Sequence, residues 1–225
     1  MEIPHEAPVM TLPGVILFPE APLPLHMFEP RYRRMLTAVL NSHRMFVVAM
    51  QKPGCASGTP SAIAGLGLVR VCVRHSDGTS HLILQGLSRV ELIRTVRQRP
   101  YLVSQIRPLR APVHDSVAID ALMAKVRDLV TEQIQLGLSA SAPDAIKLKP
   151  QTKQAQAPLT ISEIMRCLEK LSDPDQVADL VSYALLSRPA QKQIILETVE
   201  VEPRLKLLIH FLMAEISQRQ NQGDE

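Results

Sequence analysis

The chain has 225 residues, of which 46% are hydrophobic and 21% charged, so it can bury a sizeable core as one domain or two small ones. Aromatic residues make up only 3% and tryptophan is absent, so we expect an aliphatic core. The formal net charge of +3 is too small to indicate a nucleic-acid partner, although a basic first half and an acidic second half favour two units with different surfaces.

The cysteines and the amino terminus indicate the compartment. Three cysteines lie far apart without a CxxC pair, which is typical of free thiols in a reducing environment. The stretch MEIPHEAPVM has acids but neither a basic region nor an apolar run, so it is unlike a signal peptide. No stretch reaches about 18 consecutive apolar residues, as a membrane-spanning helix requires. We therefore expect a cytoplasmic protein without a membrane partner.

Prolines divide the stretch from Leu12 to Met50 into short pieces, because each fixes φ and removes a backbone donor. Residues 23 to 28 form an extended run, and Pro24 within it favours an edge strand. Pro30 is placed to begin a helix, with Glu29 near the positive end of the helix dipole. Two further strands are predicted in this part of the chain, at residues 9 to 12 and 45 to 50.

Residues 69 to 109 carry the alternating pattern of β-strands. The valines at alternate positions from Val69 to Val73 predict a strand with one apolar, buried face and one wet face. Asp77 and Gly78 predict a tight hairpin turn, since glycine accepts positive φ. Gly86 predicts a bulge at a barrel corner. The return strands are predicted at residues 81 to 85, 89 to 97 and 101 to 109, and together they favour a small closed barrel.

The second half is predicted to be helical, because the hydrophobic period changes from two to about 3.6 residues. Residues 137 to 158 are rich in Ser, Ala, Gln, Lys and Pro and have too little apolar mass to pack, so we expect this segment to be mobile. Capping residues and prolines mark the helix starts. The helices of this predicted bundle begin at Ser116, Thr160 (with Glu163), Asp173, Ser187 and Pro203.

Four strings in the chain resemble a known family. The run PGVILFPEAPLPLHMFEPRYRRML, which includes the unusual tetrapeptide EPRY, resembles the opening signature of the Lon protease amino-terminal domain. ALLSRPAQKQIILE and EPRLKLLIHFLMAEI resemble the helical part of that family, and Pro100-Tyr101-Leu102 resembles its recurring PYL. The resemblance covers nearly the whole chain except residues 137 to 158. It implies a PUA-like β-barrel, a following helical bundle and a role in substrate recognition.

The elements and the resemblance together predict an α+β fold, in which a small PUA-like β-barrel with one short helix precedes an α-helical bundle. The border is expected between Pro112 and Asp115. The two subdomains would then span residues 1 to 113 and 114 to 225, with the mobile loop at about 137 to 158.

The motifs of an ATP-dependent protease are absent from the sequence. No G-x-x-x-x-G-K-[ST] run exists to cradle a triphosphate, and no serine lies in a G-x-S-x-G context. We therefore expect no catalytic residue, no metal and no cofactor. The resemblance then implies a stand-alone recognition domain, or one whose protease is a separate chain.

The candidate contact residues lie in the EPRY signature and just before it. Phe18 and Phe28, among prolines, either form an exposed apolar surface for unfolded peptide or close the end of the barrel. Arg31 and Tyr32 either contact a partner or hold the fold together, with Glu29 capping the helix and Arg31 bonding a carbonyl or carboxylate; we favour the structural role. The predicted peptide-binding residues are Phe18, Pro19, Leu25, Phe28, Arg31 and Tyr32.

Histidines and cysteines are weaker candidates for functional residues. His75 and His81 flank the predicted hairpin and can face each other, as a metal-binding pair or, as we favour, as exposed strand-end residues. His26 is expected to be a hydrogen-bonded structural residue. Cys55 has no base nearby in sequence and is expected to be unreactive.

Six arginines near the end of the predicted barrel support an alternative function, since PUA-like barrels include RNA-binding modules and a basic face can hold a phosphate backbone. Tyr101 is the one aromatic residue near them, so stacking platforms for bases are lacking and a solvated face is favoured. These arginines are Arg89, Arg94, Arg97, Arg99, Arg107 and Arg110.

The leading hypothesis is a non-enzymatic module that binds exposed apolar segments of unfolded or client proteins. It engages them weakly and promiscuously through shape and apolar contact. A separate ATP-dependent protease is a second expected partner, which would place the protein in quality control. RNA binding through the arginine face remains the alternative.

Overall fold

The computed structural model of the protein describes residues 2–55, 58–110, 117–135, 166–168 and 170–223. These residues form two compact units, which we name the barrel unit (up to Arg110) and the helical unit (from Val117). The predicted border near residue 113 and the predicted mobile loop at 137 to 158 lie outside the described residues. The predicted capping residues Thr160 and Glu163 also lie outside them.

Six strands form the sheet of the barrel unit: β1 (Glu6–Leu12), β2 (Pro22–Met27), β3 (Met45–Met50), β4 (Ile63–Arg74), β5 (Ser80–Arg97) and β6 (Leu102–Leu109). Their order is β2-β5-β4-β3-β1-β6, and a further pairing of β5 with β6 closes β5, β4, β3, β1 and β6 into a ring. β1 and β3 pair in parallel, whereas the other pairs are antiparallel. The predicted barrel and the predicted edge strand, β2, are both confirmed.

Strand β5 serves two parts of the sheet because it is 18 residues long. Its first part pairs with β2 and β4, and its second part pairs with β6. The sequence predicted two strands that meet at Gly86, but the chain continues through this point as one bent strand. Leu66 pairs with Ser88 and Gly67 pairs with Gly86, so Leu87 is the extra residue of the bulge that was predicted at this corner.

The proline-rich segment before β2 lies directly against the sheet. A Cβ atom at Gly86 would overlap the carbonyl oxygen of Phe18, and a Cβ atom at Gly65 would overlap that of Leu17. Glycine is needed at both positions because the two backbones approach so closely. The side chains of Leu17 and Phe18 are consequently buried.

Helix α1 (Pro30–Leu40) begins where the sequence predicted, with proline in its first turn. It buries Tyr32, Met35 and neighbouring apolar residues on one face. The Tyr32 hydroxyl donates a hydrogen bond to the carbonyl oxygen of Thr11 at 3.1 Å, which connects α1 to β1. Burial raises the pKa of Tyr32, so this donor keeps its proton at neutral pH.

The sheet of the barrel unit has an apolar core on each side. The core inside the ring consists of Ala7, Val9, Met45, Val47, Ala49, Ala64, Leu66, Val90 and Ile106. The second core packs the opposite side of the sheet against α1 and includes Met10, Leu25, Met35, Phe46, Val69, Leu82 and Leu84. Each fully buried Val, Leu, Ile, Met or Phe side chain contributes about 1.5–3 kcal/mol to folding. Both cores are mainly aliphatic, as the composition predicted.

The buried face of β4 changes along the strand. Val69 is buried and pairs with Leu84, but the next pair is Val71 with Ile83, so Arg70 is the extra residue of a second bulge. A shift of one residue exchanges the two faces of a strand. Val71 and Val73 are therefore exposed, whereas Cys72 packs against the core. The predicted valine face is wrong beyond Val69.

The described residues of the helical unit include four named helices: α2 (Val117–Gln135), α3 (Pro174–Leu185), α4 (Pro189–Glu197) and α5 (Val201–Gly223). Helix α3 begins as predicted, since the Asp173 carboxylate accepts a hydrogen bond from the backbone N–H of Asp175 at 3.0 Å. Helix α5 begins two residues before Pro203, its predicted start. None of the helices in the described part of the chain has the length and apolarity needed to cross a bilayer.

The interior of the helical unit contains charged side chains. Arg204 is fully buried; its guanidinium contacts the carboxylate of Asp175 and donates to the carbonyl oxygens of Thr198, at 2.7 Å, and Val199. Asp179 lies 3.6 Å from the same guanidinium. This network connects the start of α5 to α3.

Lys192 is the second buried cation of the helical unit. Its ammonium group donates to the carbonyl oxygen of Tyr183, near the end of α3, at 2.8 Å. Burial lowers the pKa of Lys192 to about 8, against the opposing charge of Glu215. Neither Lys192 nor Arg204 was predicted from the sequence to lie inside the helical unit.

Candidate functional site

The six predicted contact residues do not share one surface. The side chains of Phe18, Leu25 and Tyr32 are buried in the barrel unit, and Pro19 is half-buried. Phe28 and Arg31 are exposed. Of the two roles considered for the phenylalanines, Phe18 therefore has a place in the core, whereas Phe28 faces solvent. Whether the exposed residues contact a partner stays a prediction.

Arg31 makes contacts within the EPRY signature. Its Nε donates to the carboxylate of Glu29 at 2.8 Å, and its guanidinium carbon lies 4.4 Å from the centre of the Tyr32 ring. The carboxylate of Glu29 forms no hydrogen bond with the start of α1, although Glu29 occupies the N-cap position. The predicted arginine–carboxylate contact is thus present, and the predicted side-chain cap is not.

Several apolar side chains lie on the uncovered side of β2, β4 and β5. We name them the apolar face and define it as Phe28, Val71, Val73 and Ile83. Phe28 is 53% exposed, Val71 50% and Val73 54%, which is high for apolar side chains on one sheet surface. Val71 pairs with Ile83, so the two lie next to each other across neighbouring strands.

The bulge in β4 is what creates the apolar face. On the barrel side of Arg70, the residues of this sheet face line the core inside the ring, as Leu66 does. Beyond the bulge the same face continues as Val71 and Val73, past Leu68, where the pairing of β4 with β3 ends, and both side chains are exposed. The apolar face is therefore built on strands that are anchored in the barrel core.

Three histidines lie on the same sheet surface, between Phe28 and Val73, and contact one another. We name His26, His81 and His75 the histidine row. His26 pairs with His81 across β2 and β5, and their rings are stacked with centroids 4.5 Å apart. His75 Nε2 lies 2.7 Å from His81 Nδ1, at hydrogen-bond distance, and the His26 ring is 5.6 Å from that of Phe28. The predicted meeting of His75 with His81 is confirmed.

Burial and the neighbouring imidazoles favour the neutral form of His81, the middle member of the row. Burial lowers the pKa of His81, and the neighbouring His26 and His75 lower it further, whereas Asp77 acts in the opposite direction. Among the described residues, no group of three or more His, Cys, Asp or Glu side chains is arranged to hold a metal ion. A neutral His75–His81 pair satisfies its own hydrogen bond, with one nitrogen as donor and one as acceptor.

The outer edge of β2 is poor in hydrogen-bond donors. The carbonyl oxygen of Ala21 accepts from the N–H of Gly86 at 2.9 Å, so the odd-numbered residues of β2 direct their backbone groups towards β5. The even-numbered residues direct theirs away from it. Pro22 and Pro24 occupy two of these three outward positions and carry no N–H, whereas His26 keeps its own. A partner strand therefore finds a donor at one of the three positions.

The arginines of the predicted RNA-binding face are largely engaged with neighbours. Arg107 forms an ion pair with Glu91, and Arg94 donates to the side-chain oxygen of Gln105 at 2.8 Å. Arg97 lies 5.0 Å from the centre of the Tyr101 ring. Arg89 is buried. Such contacts stabilise the β5–β6 hairpin and leave fewer guanidinium groups for a phosphate backbone.

Comparison with known proteins decides the family. The sequence model described as the ATP-dependent protease La (LON) substrate-binding domain matches residues 6–214. The chain belongs to this family. The resemblance that the EPRY signature indicated is thereby confirmed, and a role in substrate recognition is the function that the family supports.

Curated relatives of this LON domain protein are full Lon proteases. The Lon protease of Dictyoglomus thermophilum is 23% identical over 218 residues, which cover 96% of this chain and 25% of that protein. That of Phenylobacterium zucineum is 27% identical over 234 residues, 98% of this chain and 27% of that protein. The chain thus spans about a quarter of the length of these proteases. Similarity over this part does not assign the activity of a whole Lon protease to the chain.

Two solved structures confirm the α+β fold of the LON domain. The N-terminal domain of Mycobacterium avium complex Lon protease gives a TM-score of 0.69 at 19% identity and covers 92% of this chain and 98% of that one. A Lon N-terminal domain protein from Xanthomonas campestris gives 0.62 at 17% identity, with the same shares covered. None of these similarities supports the RNA-binding alternative.

Proposed function

We propose that the chain is a non-catalytic module that binds exposed apolar segments of unfolded or client proteins at the apolar face. In this proposal it acts in the cytoplasm and delivers these segments to an ATP-dependent protease as part of protein quality control. The family supports the general role of substrate recognition. The observation that carries the site is the group of three half-exposed apolar side chains, Phe28, Val71 and Val73, on one rigid sheet surface.

Burial of these side chains supplies the binding energy. Covering apolar area contributes about 25 cal/mol per Å², but association also costs several kcal/mol of lost motion, so a patch of a few side chains binds weakly. Weak binding without polar anchors gives little sequence preference, which suits a module that meets many different clients. The rigid strands reduce the entropy that the protein itself loses.

The partner segment lies on the sheet face and does not extend the sheet. Strand addition requires a row of alternating backbone donors and acceptors at a free edge. Pro22 and Pro24 remove donors from the outward side of β2. Side-chain contact with the apolar face is therefore the favoured mode, and a peptide that is N-methylated at alternate positions should bind about as well as its parent.

Two matched double variants test this proposal. The first, Val71→Ser with Val73→Ser, removes apolar contact from the apolar face. The second, Ile93→Ser with Val96→Ser, removes two apolar side chains that are 46% and 42% exposed at bulges of β5 outside the apolar face. The probe is a dye-labelled, reduced and carboxymethylated protein that cannot refold, and binding is followed by fluorescence anisotropy.

We expect the first variant to weaken binding about thirtyfold, because it loses two contacts that are each worth about 1 kcal/mol, and the second to leave binding within about twofold. Equal effects of the two variants, or no binding by the unmodified chain, would contradict the proposal. Hydrolysis of ATP or degradation of casein by the purified chain would contradict its non-catalytic part.

A further inference from the structure

The histidine row lies where it can control the apolar face. His26 and His81 occupy the same sheet face as Val73 and Ile83, and His26 is the residue next to Phe28 on that face. Histidine is the side chain whose charge changes most readily under physiological conditions, so protonation would place positive charge on this sheet face. The apolar character of the surface therefore depends on the protonation of its border.

The charged groups around the row are few. His26 faces His81 from β2, and the β4 residue opposite His81 is the uncharged Val73. Asp77 faces it from the hairpin turn, where its carboxylate accepts two hydrogen bonds from Thr79, both 2.8 Å. These bonds lower the pKa of Asp77, so it remains an anion throughout the range in which histidine titrates.

From α1, the guanidinium of Arg33 lies against Gly78 of the same turn and acts on Asp77. Arg31, farther along, is paired with Glu29. One anion thus faces three imidazoles and a guanidinium. Full protonation of the row would leave net positive charge beside the apolar face.

We propose that acidification switches off binding at the apolar face, because protonated members of the histidine row repel one another and bring charge and bound water to its border. Two protonated imidazoles have no acceptor nitrogen between them, so the His75–His81 hydrogen bond breaks. A charged border must be desolvated when an apolar segment covers it, which opposes binding. This regulation rests on the proposed function of the apolar face.

The binding test uses a peptide that does not titrate. It contains leucine, valine and phenylalanine with serine and glycine spacers, has blocked ends and carries a pH-insensitive rhodamine dye. Anisotropy is measured between pH 8 and pH 5 with the unmodified chain. We expect affinity to fall about tenfold on acidification, the effect of desolvating one added charge at a partly exposed site.

The triple variant His26→Gln, His75→Gln, His81→Gln should bind as tightly at pH 5 as at pH 8. The control His210→Gln changes an exposed histidine of the helical unit and should keep the fall. An NMR titration of the imidazole protons of the unmodified chain provides a measurement that needs no variant. It should show linked titrations of the three rings, with the pKa of His81 below its ordinary value.

The outcomes separate the two proposals. Binding that is present but independent of pH, a fall that persists in the triple variant, or three independent titrations would overturn the regulation and leave the proposed function standing. Absence of peptide binding at every pH would overturn the proposed function itself, whatever the titrations show.

Discussion

Both units expose some large apolar side chains and bury an arginine, but they differ in the groups that they gather in one place. The barrel unit exposes Phe28, Val71 and Val73, whereas the helical unit takes Arg204 and Lys192 into its interior. An exposed apolar group adds little to folding and is available for binding, whereas a buried charge is tolerated only with partners around it. The barrel unit is therefore the better candidate for contact with a partner, and the helical unit is the more sensitive to changes of charge.

The largest effect is expected for Arg204→Met. This substitution leaves Asp175, Asp179 and two backbone carbonyl oxygens without their cation, and such losses cost about 3–5 kcal/mol. Chemical denaturation followed by circular dichroism at 222 nm measures the change. Lys206→Met, which removes an exposed ion pair with Glu202 on the same helix, is the control and should have little effect. Equal stability of the two variants would remove the role assigned to Arg204.

Gly86→Ala tests the barrel unit, where close backbone approach replaces ion pairing. The new Cβ would overlap the carbonyl oxygen of Phe18, so the segment before β2 must move, at a cost of about 2–3 kcal/mol. Gly54→Ala is the control, since no atom lies within 4 Å of its added Cβ and only its positive φ opposes alanine. A Gly86→Ala protein as stable as the control would show that the two backbones are not packed as described.

The third effect is a pH dependence in the helical unit. Because the pKa of Lys192 is lowered from 10.5 to about 8, the folded state binds fewer protons than the unfolded state between these values. The contribution of Lys192 to the free energy of unfolding therefore rises with pH across that window, by about 2 kcal/mol between pH 7.5 and 9.5. The difference in unfolding free energy between the unmodified chain and Lys192→Met should show this rise, and a flat difference would contradict it.

The smallest effect is expected for a substitution at Val73, which lies beyond the bulge at Arg70. Val73→Ala removes a half-exposed side chain and should change the free energy of unfolding by less than about 0.5 kcal/mol. Val69→Ala removes a buried one and should cost about 2 kcal/mol. If Val73→Ala were the more costly of the two, the face exchange described for β4 would be wrong.

Much of the fold could be predicted because local signals agreed with the global arrangement. Pro30 placed the start of α1, Asp77-Gly78 placed the hairpin, and Gly86 placed a bulge. The EPRY signature then indicated the family, which residues 6–214 confirm. These signals all depend on residues whose backbone preferences are strong by themselves.

The candidate site was less accessible to sequence reasoning because it depends on a register shift. Alternation alone placed Val71 and Val73 on the buried face, and no residue type marks Arg70 as extra. The burial of Phe18 likewise follows from the way the segment before β2 crosses the sheet, whereas that of Leu25 follows from the pairing of β2 with β5. The facing of His75 and His81 was predictable, since a short hairpin fixes which residues meet.

The two prolines of β2 have a consequence for self-association. A sheet that displays apolar side chains can grow into a fibril when one molecule after another adds a strand to an open edge. Positions 22 and 24 supply no amide hydrogen for the first added strand. The two prolines therefore oppose fibril growth from this edge.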